Sequence, residues 1–146
     1  MGKKGRSKDG RKEIAPRYPK HDFRPEDLLD FIELPQFTAR WEKLGLDAET
    51  DLWMLQMFVM AKPKGAPVVK GTRGLRKLRF APLRWNVGKS GAARVLYVYF
   101  EEFGIVLLCV VYGKREVGDI SETVKKYVNN LIAEVEVELR RRHSLR

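Results

Sequence analysis

The side chains in this sequence best suited to chemistry are cations. Lys62, Lys64, Lys70, Arg73, Arg76, Lys77, Arg79, Arg84, Lys89 and Arg94 all fall between residues 61 and 100, and not one Asp or Glu interrupts them. A solvated protein face ordinarily mixes both signs, so this stretch describes a surface that must not repel a phosphate chain. The chemistry open to such a surface is narrow. The chain has one cysteine, Cys109, and two histidines, His21 and His143, far apart in sequence. Zinc ligation and Cys-His or Ser-His nucleophilic catalysis therefore lack their groups, and neither a metal site nor a cofactor is expected. Gly88-Lys89-Ser90 resembles the end of a P-loop. That motif needs a glycine five residues before Gly88 to turn the chain around the phosphates, and Leu83 occupies the position. Cys109 lies in an apolar run and reads as a small core residue.

RNA offers a reaction that needs neither histidine nor metal, because it carries its own nucleophile in the 2′-hydroxyl. A protein then has to orient that hydroxyl, assist removal of its proton, offset the extra negative charge on phosphorus and protonate the leaving 5′ oxygen. Lys, Arg, Tyr and Glu can fill those roles. Lys77 stands between Arg76 and Arg79 in the chain, and cationic neighbours disfavour an ammonium, which would bring this lysine toward acid-base work near neutrality. Arginines stay charged and clamp phosphates. DNA lacks the 2′-hydroxyl, so such a site is selective for RNA.

The apolar pattern outlines the elements that must position these groups. Asp30 to Leu34 predicts a short strand, and Pro35 suits the first turn of a helix whose face carries Phe37, Trp41 and Leu44 before Gly45 ends it. A second helix starts near Asp47 with Leu52, Leu55, Phe58 and Val59 as its stripe. Trp53, Met54, Met57 and Met60 make it apolar nearly all round, which predicts a helix sandwiched between layers. The Gly- and Pro-rich stretch 62–74 reads as a loop. Three strands are predicted over Leu75 to Ala81, Ala93 to Phe100 and Ile105 to Tyr112, the last two as an antiparallel hairpin turning at Glu101-Glu102-Phe103-Gly104. In the first of them the two-residue period puts Leu78 and Phe80 on one face, with Lys77 and Arg79 about 7 Å apart on the other. Arg84 to Gly91 reads as a basic loop free to lie along a ligand backbone, so Arg84 and Lys89, with Arg76, are candidate RNA contacts. A long helix starts at the N-cap Ser121, with Val124, Tyr127, Val128, Leu131, Ile132, Val135 and Leu139 as its stripe. Arg140 to Arg142 stand at its C-terminal end, where cations favour the helix dipole.

The chain of 146 residues holds 29 Lys plus Arg against 19 Asp plus Glu, for a formal net charge of +10 with 44% hydrophobic residues. One compact domain is expected at that length. Residues 1–26 carry nine Lys or Arg among Gly, Pro and Ser with few large apolar groups, which predicts a flexible basic arm ahead of a folded domain over 27–146. Residues 27–51 turn acidic, with seven Asp or Glu against Arg40 and Lys43. No apolar run approaches the roughly 20 residues that span a bilayer, and no hydrophobic segment follows the basic start, so a cytoplasmic protein without a membrane partner is expected. The positive surplus favours a polyanionic partner.

Three segments carry a resemblance. Gly71-Thr72-Arg73-Gly74-Leu75-Arg76-Lys77-Leu78-Arg79-Phe80, Gly91-Ala92-Ala93-Arg94-Val95-Leu96-Tyr97-Val98-Tyr99-Phe100 and Val111-Tyr112-Gly113-Lys114-Arg115-Glu116 resemble the RelE superfamily of toxins, in particular its HigB-like branch. The likeness runs from about Asp30 to Leu139. It implies a mixed α/β (α+β) fold with two N-terminal helices packed on a small twisted antiparallel sheet and a closing C-terminal helix. It also implies a toxin of a type II toxin-antitoxin system: a metal-independent endoribonuclease that cleaves mRNA in the ribosomal A site and is restrained by a cognate helix-turn-helix antitoxin. By motif position the catalytic cations fall on Lys77, Arg79, Arg94 and Arg115. Arg76, Arg84, Lys89 and Lys114 are the further candidate RNA contacts. Some members place a tyrosine just after the Gly-Lys-Arg-Glu turn, and 117–121 holds none here. Two other readings share the scaffold: a ParE-like inhibitor that binds DNA gyrase, and a relative that contacts RNA or the ribosome without cutting.

Overall fold

The computed structural model describes residues 21–85, 91–113 and 121–145. Among them the chain runs β1 (Asp30–Glu33), α1 (Pro35–Lys43), α2 (Thr50–Ala61), β2 (Leu75–Phe80), β3 (Ala93–Phe100), β4 (Ile105–Tyr112) and α3 (Glu122–Ser144). The class is mixed α+β, and the order of strand, two helices, three strands and closing helix is the one the apolar pattern predicts.

The four strands form one sheet in the order β1-β4-β3-β2. β2–β3 and β3–β4 pair antiparallel, whereas β1 lies parallel to β4, with Asp30 opposite Ile105 and Glu33 opposite Leu108. The expected all-antiparallel sheet is thus corrected to a mixed one. The α1–α2 excursion carries the chain away after β1, and the β3–β4 hairpin later brings β4 alongside it in the same direction.

The sheet separates two cores. On one face α1 and α2 bury Phe37, Trp41, Leu55 and Val59 against Phe80, Val95, Tyr97, Val106 and Leu108. Trp41 links the layers, stacking on Phe37 at 5.5 Å and on Phe80 at 5.7 Å between ring centroids. Such pairs add about 0.5–1.5 kcal/mol each beyond the area they bury. On the opposite face α3 places Val128 and Ile132 on Leu75, Leu96, Val98 and Leu107. Two side-chain expectations change. α2 buries Met54, Leu55, Val59 and Met60 but leaves Trp53 55% exposed, so it is not enclosed all round as expected. α3 starts with Val124 and Tyr127 facing solvent, and its buried stripe begins at Val128.

Local signals set the helix boundaries. Pro35 opens α1, and Gly45, at φ +80, takes the left-handed turn that follows it. Ahead of α2, Asp47 and Asp51 cap each other: the Asp47 carboxylate accepts from the Asp51 amide at 2.8 Å, and the Asp51 carboxylate accepts from the Asp47 amide at 2.8 Å. The Ser121 hydroxyl accepts from the Val124 amide at 3.2 Å, as expected of the α3 N-cap. At the other end of α3, Arg141 and Arg142 share Glu138 while Arg140 reaches Glu102 and Glu136. That basic cluster is therefore paired within the fold. No helix among the described residues is long and apolar enough to cross a membrane.

Candidate nucleic-acid interface

Strand pairing decides which cations meet. β2 and β3 align Arg79 directly opposite Arg94, and Lys77 opposite Leu96. Directly opposed residues of an antiparallel pair share a face, as do residues two apart on one strand, so Lys77, Arg79 and Arg94 project from the same face. Tyr112 of β4 stands opposite Arg94 and extends this row across a third strand. Arg79 is exposed, and Lys77 and Arg94 are half-buried.

α3 shares that face but is fastened at its far end. The Asn129 side chain accepts from the Arg73 amide at 2.8 Å and donates to the Gly71 carbonyl at 3.0 Å. Arg73 pairs with Glu136, and Arg140 with Glu102, at the end where β2 begins and β3 turns into β4. Arg79 and Arg94 lie at the opposite end of the same strands.

Charge balance at the row is unusual. Among the described residues neither Lys77 nor Arg79 has an ion pair or a side-chain hydrogen bond. Like charges directly opposed across strands cost up to about 1 kcal/mol. Arg94 is anchored, with its guanidinium donating to the Ala92 carbonyl at 2.5 Å. Lys77 and Arg79 can accept phosphates, and two guanidiniums on adjacent strands can engage two oxygens of one phosphate.

Other predicted contacts are employed elsewhere. Arg76 lies on the face that carries α1 and α2, where its guanidinium donates to the Lys64 and Ala66 carbonyls at 3.0 and 2.6 Å. With the Tyr97 hydroxyl, which donates to the Pro63 carbonyl at 2.8 Å, it holds the 62–69 loop against the sheet. Arg84 is likewise not free to follow a ligand. It donates twice to the Asp51 carboxylate, at 2.7 and 2.6 Å, and once to the Gly45 carbonyl at 2.8 Å. Both arginines are candidate RNA contacts by sequence, and in the fold both have internal acceptors. Lys89, Lys114 and Arg115 lie outside the described residues.

Sequence reasoning missed Asp51, which is 1% exposed. Burial pushes its carboxyl up, but the Arg84 hydrogen bonds, the Asp47 amide and the guanidinium charge outweigh burial and hold it below the usual carboxylate value. Its position in the first turn of a predicted helix was visible, but its partner 33 residues away was not. Tyr112 was also passed over, although the strand pattern alone could have set it beside the opening of β3. Cys109 is buried, as the apolar run predicts, and desolvation pushes its thiol up to about 12.

No family model matches the chain. Among solved structures, that of a mutant of the E. coli toxin RelE in the free state is similar at 23% sequence identity and a TM-score of 0.46, over 72% of this chain and 96% of that one.

Proposed function

We propose that this chain is a toxin of the RelE type, a metal-independent endoribonuclease acting on mRNA at the ribosome and held in check by a helix-turn-helix antitoxin. The observation that carries the reading is the row formed by Lys77, Arg79 and Arg94 on one sheet face, with Arg79 in direct register with Arg94. The three sequence segments that resemble the RelE superfamily support it, because two of them supply these residues.

The RNA 2′-oxygen attacks the adjacent phosphorus, the bond to the 5′ oxygen breaks, and the products are a 2′,3′-cyclic phosphate and a 5′-hydroxyl end. Arg79 and Arg94 hold the non-bridging oxygens and offset the charge that builds up on them. Lys77, one pleat along from Arg79, serves the proton transfers. Arg115 and Lys114, by their place in the resemblance, complete the phosphate contacts.

Primer extension on mRNA in a purified translation system tests the reading. In-frame cuts that depend on added protein, and that vanish with Arg79→Ala, are the expected result. Loss of DNA supercoiling by gyrase without mRNA cuts would favour the gyrase-binding relative. Ribosome or RNA binding with neither effect would leave a non-cleaving one.

A further inference from the structure

The row of side chains that crosses β2, β3 and β4 ends on an aromatic ring. Arg79 stands opposite Arg94, and Arg94 stands opposite Tyr112, so all three share one face of the sheet and Arg94 lies between the other two. Arg94 is the one charged residue of β3. Tyr112 is the one aromatic residue of β4, whose other members are aliphatic or cysteine. A position that only had to fill the core would accept another aliphatic side chain, as the rest of β4 does. The ring falls where its cross-strand neighbour is a guanidinium.

Arg94 has to be held in place, because the Arg79 charge on one flank repels it. Its own strand supplies one fastening, the Ala92 carbonyl, which accepts from the guanidinium at 2.5 Å. On the other flank the neighbouring strand offers Tyr112, and arginine stacks well on aromatic faces. The tyrosine is itself fixed. It is 4% exposed and belongs to the cluster of Leu96, Cys109, Val128 and Ile132 that α3 covers, and packing of that kind locks a side chain in one rotamer. At that burial the ring is closed to an RNA base, so any part it plays in cleavage runs through Arg94.

We infer that Tyr112 is a positioning residue: a flat wall, held by the α3 core, that keeps the Arg94 guanidinium aimed beside Arg79. This inference deepens the ribonuclease reading above and rests on it. A clamp without the wall keeps its charge and so keeps its RNA, but it loses the alignment that matters in the transition state.

The test measures ribosome-dependent mRNA cleavage by Tyr112→Leu, Tyr112→Phe and Val98→Ala, normalised to folded protein by circular dichroism, and by Tyr112→Leu in an Arg94→Lys background. In Tyr112→Leu, kcat should fall about tenfold or more with KM within twofold, since small misplacements at a reacting centre cost up to about 100-fold. Tyr112→Phe keeps the ring and should keep kcat near the wild-type value. Val98→Ala loosens the same cluster from a position that does not oppose Arg94, and its kcat should be unchanged. Arg94→Lys has already lost the planar fork, so adding Tyr112→Leu should cost little more. If Tyr112→Leu does not fold, Tyr112→Met decides in its place, because a flexible thioether fills irregular gaps without supplying a ring. Wild-type kcat in the ring-less variant, an equal loss in Val98→Ala, or additive losses in the double variant would each overturn the positioning role, and Arg79→Ala, still inactive, would spare the ribonuclease reading. A raised KM at unchanged kcat would make Tyr112 an RNA-binding group and also overturn it. Absence of cleavage by the wild type would sink both.

Discussion

Arg79 and Arg94 stand directly opposite each other on adjacent antiparallel strands, and Arg79 has no ion-pair partner among the described residues. A fold that only needed stability would place an acid or a β-branched residue at one of the two positions. Removing one arginine should therefore help the fold and harm the activity. For Arg79→Ala we expect unchanged or slightly raised stability, by up to about 0.5 kcal/mol, measured by urea denaturation. Cleavage of mRNA should fall about 100-fold or more, the usual loss when a donor to a developing oxyanion is removed. A large stability loss would show Arg79 to be structural.

The row also predicts a salt dependence. Each phosphate neutralised on a single strand contributes a slope of about −0.7 in log K against log salt, so Lys77, Arg79 and Arg94 together give about −2. Fluorescence anisotropy on a short RNA should show this slope reduced by about 0.7 in Lys77→Ala. A DNA strand of the same sequence should bind with a similar slope and remain uncut.

Arg76 should behave in the opposite way to Arg79, although the two are three residues apart in one strand. Its donations to the Lys64 and Ala66 carbonyls make it part of the 62–69 loop. Arg76→Ala should cost about 2 kcal/mol, as for the loss of a charged hydrogen-bond donor, and should open that loop to limited proteolysis. Cleavage per folded molecule should change less than twofold. A loss of activity with unchanged stability would return Arg76 to the RNA surface.

These contrasts mark what the sequence carries and what it does not. Apolar periodicity gives the order of the elements, and the two-residue period puts Lys77 and Arg79 on one face, because both are local properties of the chain. The parallel pairing of β1 with β4 joins residues about 75 apart in sequence, such as Asp30 and Ile105, and no local pattern encodes it. Charge is read equally from an arginine facing solvent and one bonded to carbonyls, so Arg76 and Arg84 looked like Arg79. What separates them is the acceptor each finds: the loop carbonyls for Arg76, and Asp51 from a different element for Arg84. Trp53 shows the converse limit. Its apolar neighbours are visible in the sequence, but which side of α2 meets the sheet is fixed by Leu55 and Val59 docking there.

Asp51 also gives a pH dependence with a defined sign. Its folded pKa is lowered relative to the ordinary value of 3.8, so the pair contributes its full stability above that pH and loses it as pH falls through the folded value. Asp51→Asn should be destabilised by roughly 3 kcal/mol at neutral pH, the low end for a broken buried pair, because half of the Arg84 side chain remains in water. Denaturation followed from pH 7 down to pH 2 should show the gap between wild type and variant closing below about 3.8. A gap that stays constant across that range would mean the carboxylate charge contributes nothing.

Cys109 provides a reporter for the second core. Pairing shifts between Leu96 and Tyr97, which face Val110 and Leu108, so Cys109 is the extra residue of a bulge in β4. Its side chain packs in the cluster that α3 covers, 1% exposed, with the thiol pushed up to about 12 by desolvation. Reaction needs the thiolate and an open path, and the native state offers neither at pH 8. Alkylation at that pH should therefore be slower than for a free thiol by about the equilibrium constant for opening. Ile132→Ala removes an α3 anchor from this core, at a cost of about 2–5 kcal/mol, and should speed labelling in proportion. Fast labelling of the wild type would mean that α3 opens from the sheet without global unfolding.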